Sequence, residues 1–216
     1  MKKGIIIVFF ALVGIAQTQA QVTFKPGLRG GLNFSHFTQG DFYGSSYYDY
    51  NTGSYINSID NTDYTSKTDL YVGFYGALHL TKYYTLQPEI NYSRQGSNIE
   101  TINNNVISRT KFDISYLSIG MINKFTFTEK FNFHVGPTLD FVVDKPRFLV
   151  NKSSTYFDTD SDIDLAFVAG FGYNFTKNIG LEARVKKGII PVFDYSDSNH
   201  TNVVFSVGAT YTFDIK

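Results

Sequence analysis

The sequence has 216 residues, with 19 Lys and Arg against 19 Asp and Glu, no Cys, no Trp, 16 Tyr and 21 Phe. A net charge of zero excludes a strongly basic nucleic-acid binder, and the lack of Cys excludes a disulfide scaffold, a thiolate zinc site and a cysteine nucleophile. A chain 43% hydrophobic and 18% charged is not disordered, and 17% aromatics with 18 Gly favour strands and tight turns.

Residues 1–20 read as a secretory signal peptide. Lys2 and Lys3 precede an apolar run from Ile5 to Ala16, and Gln17-Thr18-Gln19-Ala20 supplies small residues before a cut after Ala20. The run is too short for ~30 Å of hydrocarbon at ~1.5 Å per residue. Cleavage leaves residues 21–216 as one domain, with 17 basic and 19 acidic residues. No later stretch predicts a transmembrane helix, but an exported chain can still cross a membrane as a closed barrel.

Eight strands are predicted, each with a period of two. In the first, Leu28, Leu32 and Phe34 oppose Arg29, Gly31, Asn33 and Ser35. In the second, Leu70, Val72, Phe74 and Leu78 oppose Tyr71, Gly73, Tyr75 and Ala77. In the third, Leu86, Pro88, Ile90 and Tyr92 oppose Gln87, Glu89, Asn91 and Ser93. The fourth changes phase, with Phe112, Ile114 and Tyr116 even but Leu117, Ile119 and Met121 odd. A β-bulge or register change would account for it.

The fifth strand sets Phe131, Phe133, Val135, Leu139 and Phe141 against Asn132, His134, Thr138 and Asp140. The sixth alternates from Ile163 to Phe175 against Asp164, Ala166, Gly170, Gly172 and Asn174. The seventh sets Leu181, Ala183 and Val185 against Glu182, Arg184 and Lys186, and the eighth runs from Val203 to Phe213. Connections near 38–67, 98–110, 145–161 and 190–201 are long, whereas those near 81–84, 127–130 and 176–178 are short.

An even strand count with loops sorted by length predicts an all-β, eight-stranded, antiparallel up-and-down transmembrane β-barrel. A lipocalin-like soluble barrel would alternate too, with its apolar face inward. Here one face carries Gly, Ser, Thr and Asn and the other large Phe, Leu and Tyr; only the small set fits inside eight strands. The apolar face therefore meets lipid. Tyr83, Tyr84, Phe125, Phe127, Phe131, Phe133, Tyr173, Phe175, Tyr211 and Phe213 cluster near the short turns as an interfacial girdle would.

Several motifs resemble a known family. Tyr116-Leu117-Ser118-Ile119-Gly120 with Lys124-Phe125 is similar to the Tyr-Leu-x-Ile-Pro strand of the PorT-like outer-membrane β-barrel domains, with Gly120 where Pro is usual. Leu86-Gln87-Pro88-Glu89, leading to Gly96, resembles their Gln-Pro-Glu strand, and Val135-Gly136-Pro137-Thr138 and Tyr211-Thr212-Phe213 also fit. The resemblance spans roughly residues 24–216 and implies an outer-membrane barrel. The family has no common activity, and its namesake's role in secretion does not follow from a shared barrel.

Period two places Arg29, Glu89, His134, Asp140, Asp164, Glu182, Arg184 and Lys186 in one lumen. Charges in so narrow a space must pair. The expectation is a structural plug in which Glu89 and Glu182 pair with Arg29, Arg184 or Lys186, against the alternative of a proton or ion pathway. The histidines His36, His79, His134 and His200 show no metal-binding spacing, and no cofactor or phosphate-loop motif is present. Ser35 beside His36, and His200 near Asp197 and Ser198, are the catalytic alternatives, but such neighbours arise easily in this composition, and no enzyme is predicted.

The segment 38–67 carries Tyr43, Tyr47, Tyr48, Tyr50, Tyr55 and Tyr64 on a Gly/Ser/Asn background, the composition of a recognition loop. Asp158, Asp160, Asp162 and Asp164 offer oxygen ligands for Ca²⁺, or for divalent ions held by surface lipopolysaccharide, but lack the Gly and distal Glu of an EF-hand. Asn151-Lys152-Ser153 matches a glycosylation triplet only weakly. The expected role is structural or adhesive, with lipid, lipopolysaccharide and an external protein or glycan as partners and no nucleic acid. A small pore or secretion accessory is the alternative, and a lipid-modifying enzyme a weaker one.

Overall fold

The computed structural model describes residues 22–38, 45–49, 53–58, 61–103, 106–150, 153–156, 161–192 and 200–214. The predicted signal peptide lies outside them. Twelve strands occur among the described residues: β1 (Thr23–Phe37), β2 (Ser45–Asp49), β3 (Ser54–Ser58), β4 (Asn61–Thr65), β5 (Lys67–His79), β6 (Tyr84–Asn103), β7 (Val106–Thr126), β8 (Phe131–Val150), β9 (Ser153–Tyr156), β10 (Ile163–Asn174), β11 (Ile179–Gly188) and β12 (Asn202–Thr212).

Eight of them close a ring. β1 pairs antiparallel with β5 and β12, and the pairings β5–β6, β6–β7, β7–β8, β8–β10, β10–β11 and β11–β12 complete it. Each ring strand pairs with the next ring strand in the chain. Closure satisfies the backbone without water, the condition for crossing hydrocarbon with strands. The expected count of eight describes this ring but not the whole sheet, which has ten strands because β4 adds to β6 and β9 to β8. β2 and β3 form a separate hairpin.

Two of the expected long loops are largely strand. β6 and β7 remain paired from Tyr84–Phe125 out to Asn103–Val106, and β8 continues through Val150 into its β9 hairpin. The ladder between β5 and β6 stops at Tyr71–Ser93, and beyond it β6 takes β4 as partner. Gly96 sits at this divergence with φ of 138°, where a Cβ would lie 1.9 Å from the Phe112 carbonyl oxygen. Glycine alone fits that bend.

The three short turns share one design. Leu80-Thr81, Phe127-Thr128 and Phe175-Thr176 each directly follow a strand, and the threonine hydroxyl accepts amides two and three residues on. The Tyr84, Phe131 and Ile179 amides bond at 3.0, 3.0 and 2.9 Å. Such hydroxyl-capped turns satisfy donors that a short loop would otherwise leave open.

The ring is apolar outside and polar inside. Leu32, Val72, Phe74, Ile90, Ile119, Phe167, Phe171 and Val185 are exposed, while Arg29, Asn33, Glu89, Asp140, Glu182 and Arg184 are buried. Near the short turns, rings pack edge to face or tilted at 5.1–5.4 Å in the pairs Tyr84–Phe125, Phe131–Tyr173, Tyr173–Phe175 and Tyr211–Phe213. This is the aromatic belt of a membrane–water interface.

The phase change in β7 has a different origin from the one expected. Phe112, Ile114, Tyr116, Ser118, Gly120 and Ile122 are all buried, so the even positions face inward throughout. What changes is the interior, which turns apolar toward the long-loop end. A bulge is present as well, with β7–β8 register shifts between Asp113, Ser115 and Tyr116.

Closure also depends on close backbone approach. Gly208 lies opposite both Gly31 and Glu182, and a Cβ there would sit 2.2 Å from the Tyr71 hydroxyl and 2.4 Å from the Gly30 carbonyl oxygen. Gly208→Ala is expected to destabilise the barrel by about 1–3 kcal/mol through overpacking at the β1–β12 seam. Urea titration of the folded form on gels measures it; an unshifted midpoint would mean the seam yields freely.

Candidate functional site

Inward alternation builds the lumen in layers. At its centre, Arg29 of β1 donates through Nε to Glu182 Oε1 of β11 at 2.8 Å and pairs with Glu89 of β6. Arg184 of β11 makes a two-pronged bond to Glu89, with Nη1 and Nη2 each 2.8 Å from a carboxylate oxygen, and its Nε donates to Glu182 Oε2 at 3.1 Å. Two guanidiniums and two carboxylates thus form a neutral knot, each buried charge facing opposite ones. Gln87 Nε2 donates to Glu89 Oε1 at 2.7 Å, and the Tyr71 hydroxyl donates to Glu182 Oε1 at 3.1 Å. The Arg29 guanidinium lies 4.9 Å from the centre of the Tyr71 ring.

The other expected lumen charges lie apart from this knot. Lys186 bonds Asp140 rather than either glutamate, with its ammonium 5.9 Å from the Tyr116 ring. Asp164 accepts the Ile189 and Ile190 amides at 3.2 and 3.0 Å, fixing the chain as it leaves β11. His134 is buried and joins no ion pair among the described residues; its Nδ1 lies 3.4 Å from Asn132 Oδ1.

Toward the long-loop end follows an uncharged layer. Asn33 Nδ2 donates to Ser93 Oγ at 2.9 Å and to the Arg94 carbonyl at 3.0 Å, and Ser206 Oγ donates to Asn33 Oδ1 at 2.7 Å. Ser35 Oγ donates to the Gly96 carbonyl at 2.8 Å, so β1 side chains satisfy carbonyls that β5 no longer reaches. The cavity left between knot and uncharged layer is about 40 Å³, room for a few waters at most.

Beyond it the lumen is filled by Phe37, Phe112, Ile114, Tyr116 and Val192, with Tyr64, Ile99, Val142 and Phe148 packed around them. The Phe37–Phe112 and Phe112–Phe148 rings meet edge to face at 5.1 and 5.2 Å. The expectation that aromatic residues stay out of the lumen fails here. Tyr64 of the added strand β4 and Val192 of the turn after β11 contribute to this packed core. Tyr64, placed with the surface tyrosines by sequence, belongs to this cap, 4.9 Å from the His200 ring.

Of the remaining loop residues, Tyr47 pairs in register with Ile56, and Tyr48 with Tyr55, in the β2–β3 hairpin. Tyr43 and Tyr50 lie outside the described residues, as do Asp158, Asp160, Asp197 and Ser198. Asp164 is turned into the barrel and committed to backbone amides, which removes it from an acidic loop cage, and calcium gains no support. Among the described residues no group of His, Asp and Glu is arranged to hold a metal.

A rim cluster escaped sequence reading. Lys67 pairs with Asp69 and lies 2.7 Å from Asp113, and Arg147 Nε and Nη2 both bond Asp113 Oδ2 at 3.2 Å. The outward apolar residues of β7 run from Leu117 to Phe125, so Asp113 lies beyond that band. Burial alone would raise its pKa, but the bonds from Lys67 and then Arg147 hold it below the usual carboxylate value. A depressed folded pKa stabilises fully above the unfolded value of about 3.9. That contribution falls as pH drops through the folded pKa. Protection against hydrogen exchange along the outer β6–β7 ladder, taken relative to the intrinsic amide rate at each pH, is therefore expected to stay constant from pH 7 to about 5 and to fall only below about 4; protection lost near neutrality would contradict this pairing.

A closed antiparallel cylinder, apolar and aromatic-belted outside and polar within, defines an integral outer-membrane β-barrel. The sequence matches the outer membrane protein beta-barrel domain family over residues 15–194, and the chain belongs to that family. Its place is the cell outer membrane. No curated protein matches the sequence. Among solved structures, Neisserial surface protein A is similar at a TM-score of 0.53 and 13% identity, covering 87% of this chain and 97% of that one. Ail of Yersinia pestis reaches 0.47 at 13% identity, with 88% and 98% covered. OprG of Pseudomonas aeruginosa reaches 0.46 at 13%, with 90% and 98% covered.

Proposed function

We propose that the barrel is a non-conducting envelope protein whose long-loop end recognises a protein or glycan outside the cell, with lipopolysaccharide around it. The short turns then face the periplasm. The observation that carries this reading is the lumen, filled successively by a salt-bridged knot, an uncharged layer and an aromatic cap. With transport through the centre opposed by three layers, the chain outside the bilayer remains as the place for function. That part is built: the β6–β7 hairpin extends past Gly96, β4 and β9 widen the sheet, and the β2–β3 hairpin carries Tyr47, Tyr48 and Tyr55.

A non-catalytic role is part of the same reading. The Ser35 hydroxyl is given to the Gly96 carbonyl, and His200 Nδ1 lies 2.9 Å from the Thr38 carbonyl oxygen. Affiliation with the PorT-like domains rests on the Gln87-Pro88-Glu89 and Tyr116–Gly120 motifs. Glu89 stands at the knot and Tyr116 in the cap, so these motifs serve lumen closure.

The test is whole-cell binding to a glycan array and to a panel of immobilised extracellular proteins. Cells displaying wild type are compared with cells whose residues 45–58 are replaced by a short Gly/Ser linker. Binding above that of barrel-free cells, lost in the variant, is expected. Correctly folded wild type that binds nothing above control would remove the recognition role.

A further inference from the structure

The short-turn mouth of the lumen holds a second feature, separate from the knot and the outer surface. A cavity of about 240 Å³ opens there, lined by residues that include Lys25, Lys124, Lys177 and His79, and none of the described residues lining it is acidic. Lys25 is held by Asp214 at 2.6 Å. The Lys124 and Lys177 side chains make no hydrogen bond or ion pair with any described residue. The charges nearest the cavity floor, Arg29, Arg184, Glu89 and Glu182, sum to zero, so they leave the Lys124 ammonium uncompensated.

Hydroxyl groups complete the lining: Tyr75 and Thr212 bond each other at 2.7 Å, and Thr85 lies 2.8 Å from His79 Nδ1. A half-buried ammonium without a partner is costly, and an anion that enters the mouth removes the cost. Two ammonium groups without a carboxylate partner among the described residues, flanked by hydroxyl donors, suit a tetrahedral dianion better than a single flat carboxylate.

We propose that the short-turn mouth binds a phosphate group. It comes either from a soluble phosphate ester or from the headgroup of a phospholipid in the adjoining leaflet. Lys124 and Lys177 are the principal ligands, and the knot is the floor that stops the anion from passing further.

The experiment follows inorganic phosphate by ³¹P line broadening against the refolded mature protein in phosphate-free detergent micelles, then in phosphatidylglycerol nanodiscs. Wild type in micelles broadens the signal. Lys124→Gln and Lys177→Gln each weaken binding about tenfold or more, the loss of a charge-assisted bond. Lys82→Gln, on a neighbouring short turn but outside the cavity, leaves it unchanged. Heat-dependent gel mobility confirms that each variant is folded, and Lys177, in an exposed turn, keeps the test valid if Lys124→Gln does not fold. Binding that persists in nanodiscs assigns the site to soluble phosphates, whereas binding blocked there assigns it to the headgroup. No broadening in micelles, or equal weakening by Lys82→Gln, overturns the proposal.

Discussion

Glu89→Ala is expected to destabilise the folded barrel by about 3–5 kcal/mol, the usual result of stripping one partner from a buried ion pair. Glu89 is 2% exposed and receives both Arg29 and Arg184. Its removal leaves two guanidiniums with Glu182 as their one remaining acidic partner in the knot. The energy lies mainly in the orphaned charge, so pairing the change with Arg184→Met should recover much of the loss. Urea unfolding in lipid vesicles across the four-member cycle measures this. Recovery in the double variant is the signature of a coupled pair; strictly additive losses would mean that the two side chains act independently and that the knot is not a unit.

Phe112→Ala should cost a similar amount, about 3–5 kcal/mol, as a large buried ring is replaced by a cavity. Phe112 is fully buried and touches both Phe37 and Phe148, joining the end of β1 to β7 and β8. Its effect differs in place from that of Glu89. Proteolysis of the folded protein in vesicles should begin at the long-loop end, while the short-turn end stays protected. A loss under about 1 kcal/mol, or protection unchanged at the long-loop end, would show that the cap is not a packed core.

These outcomes follow from features that the sequence reveals unequally. Alternation in β10, β11 and β12 places Glu182 and Arg184 inside, because period two separates the faces of a strand that meets lipid on one side and a lumen on the other. It does not set height along the barrel. Lys186 is on the same face as Arg184 but roughly 6.6 Å further along, which is why it reaches Asp140 instead of a glutamate. Tyr71 sits on the small-residue face without a charge to draw notice, yet it is the knot's hydroxyl donor.

The aromatic cap was hidden for a related reason. Alternation distinguishes two faces but not an apolar lumen from an apolar exterior, so Phe112, Ile114 and Tyr116 resembled a phase error. The repeated Thr81, Thr128 and Thr176 turn caps were legible in principle, each following an apolar residue just past the end of a strand. The outer parts of β6 and β7 were not, because their Ser, Asn and Thr composition is that of a loop. They become strands through pairing with each other and with β4, a tertiary effect that overrides local preference.

Single-channel recording of the refolded wild type in a planar bilayer tests the closed lumen most directly. The knot, the uncharged layer and the aromatic cap predict a silent membrane at moderate potentials and at any salt concentration. Steady openings whose conductance rises with salt would contradict the account, because they require a continuous aqueous path past Arg29, Glu89 and Phe112.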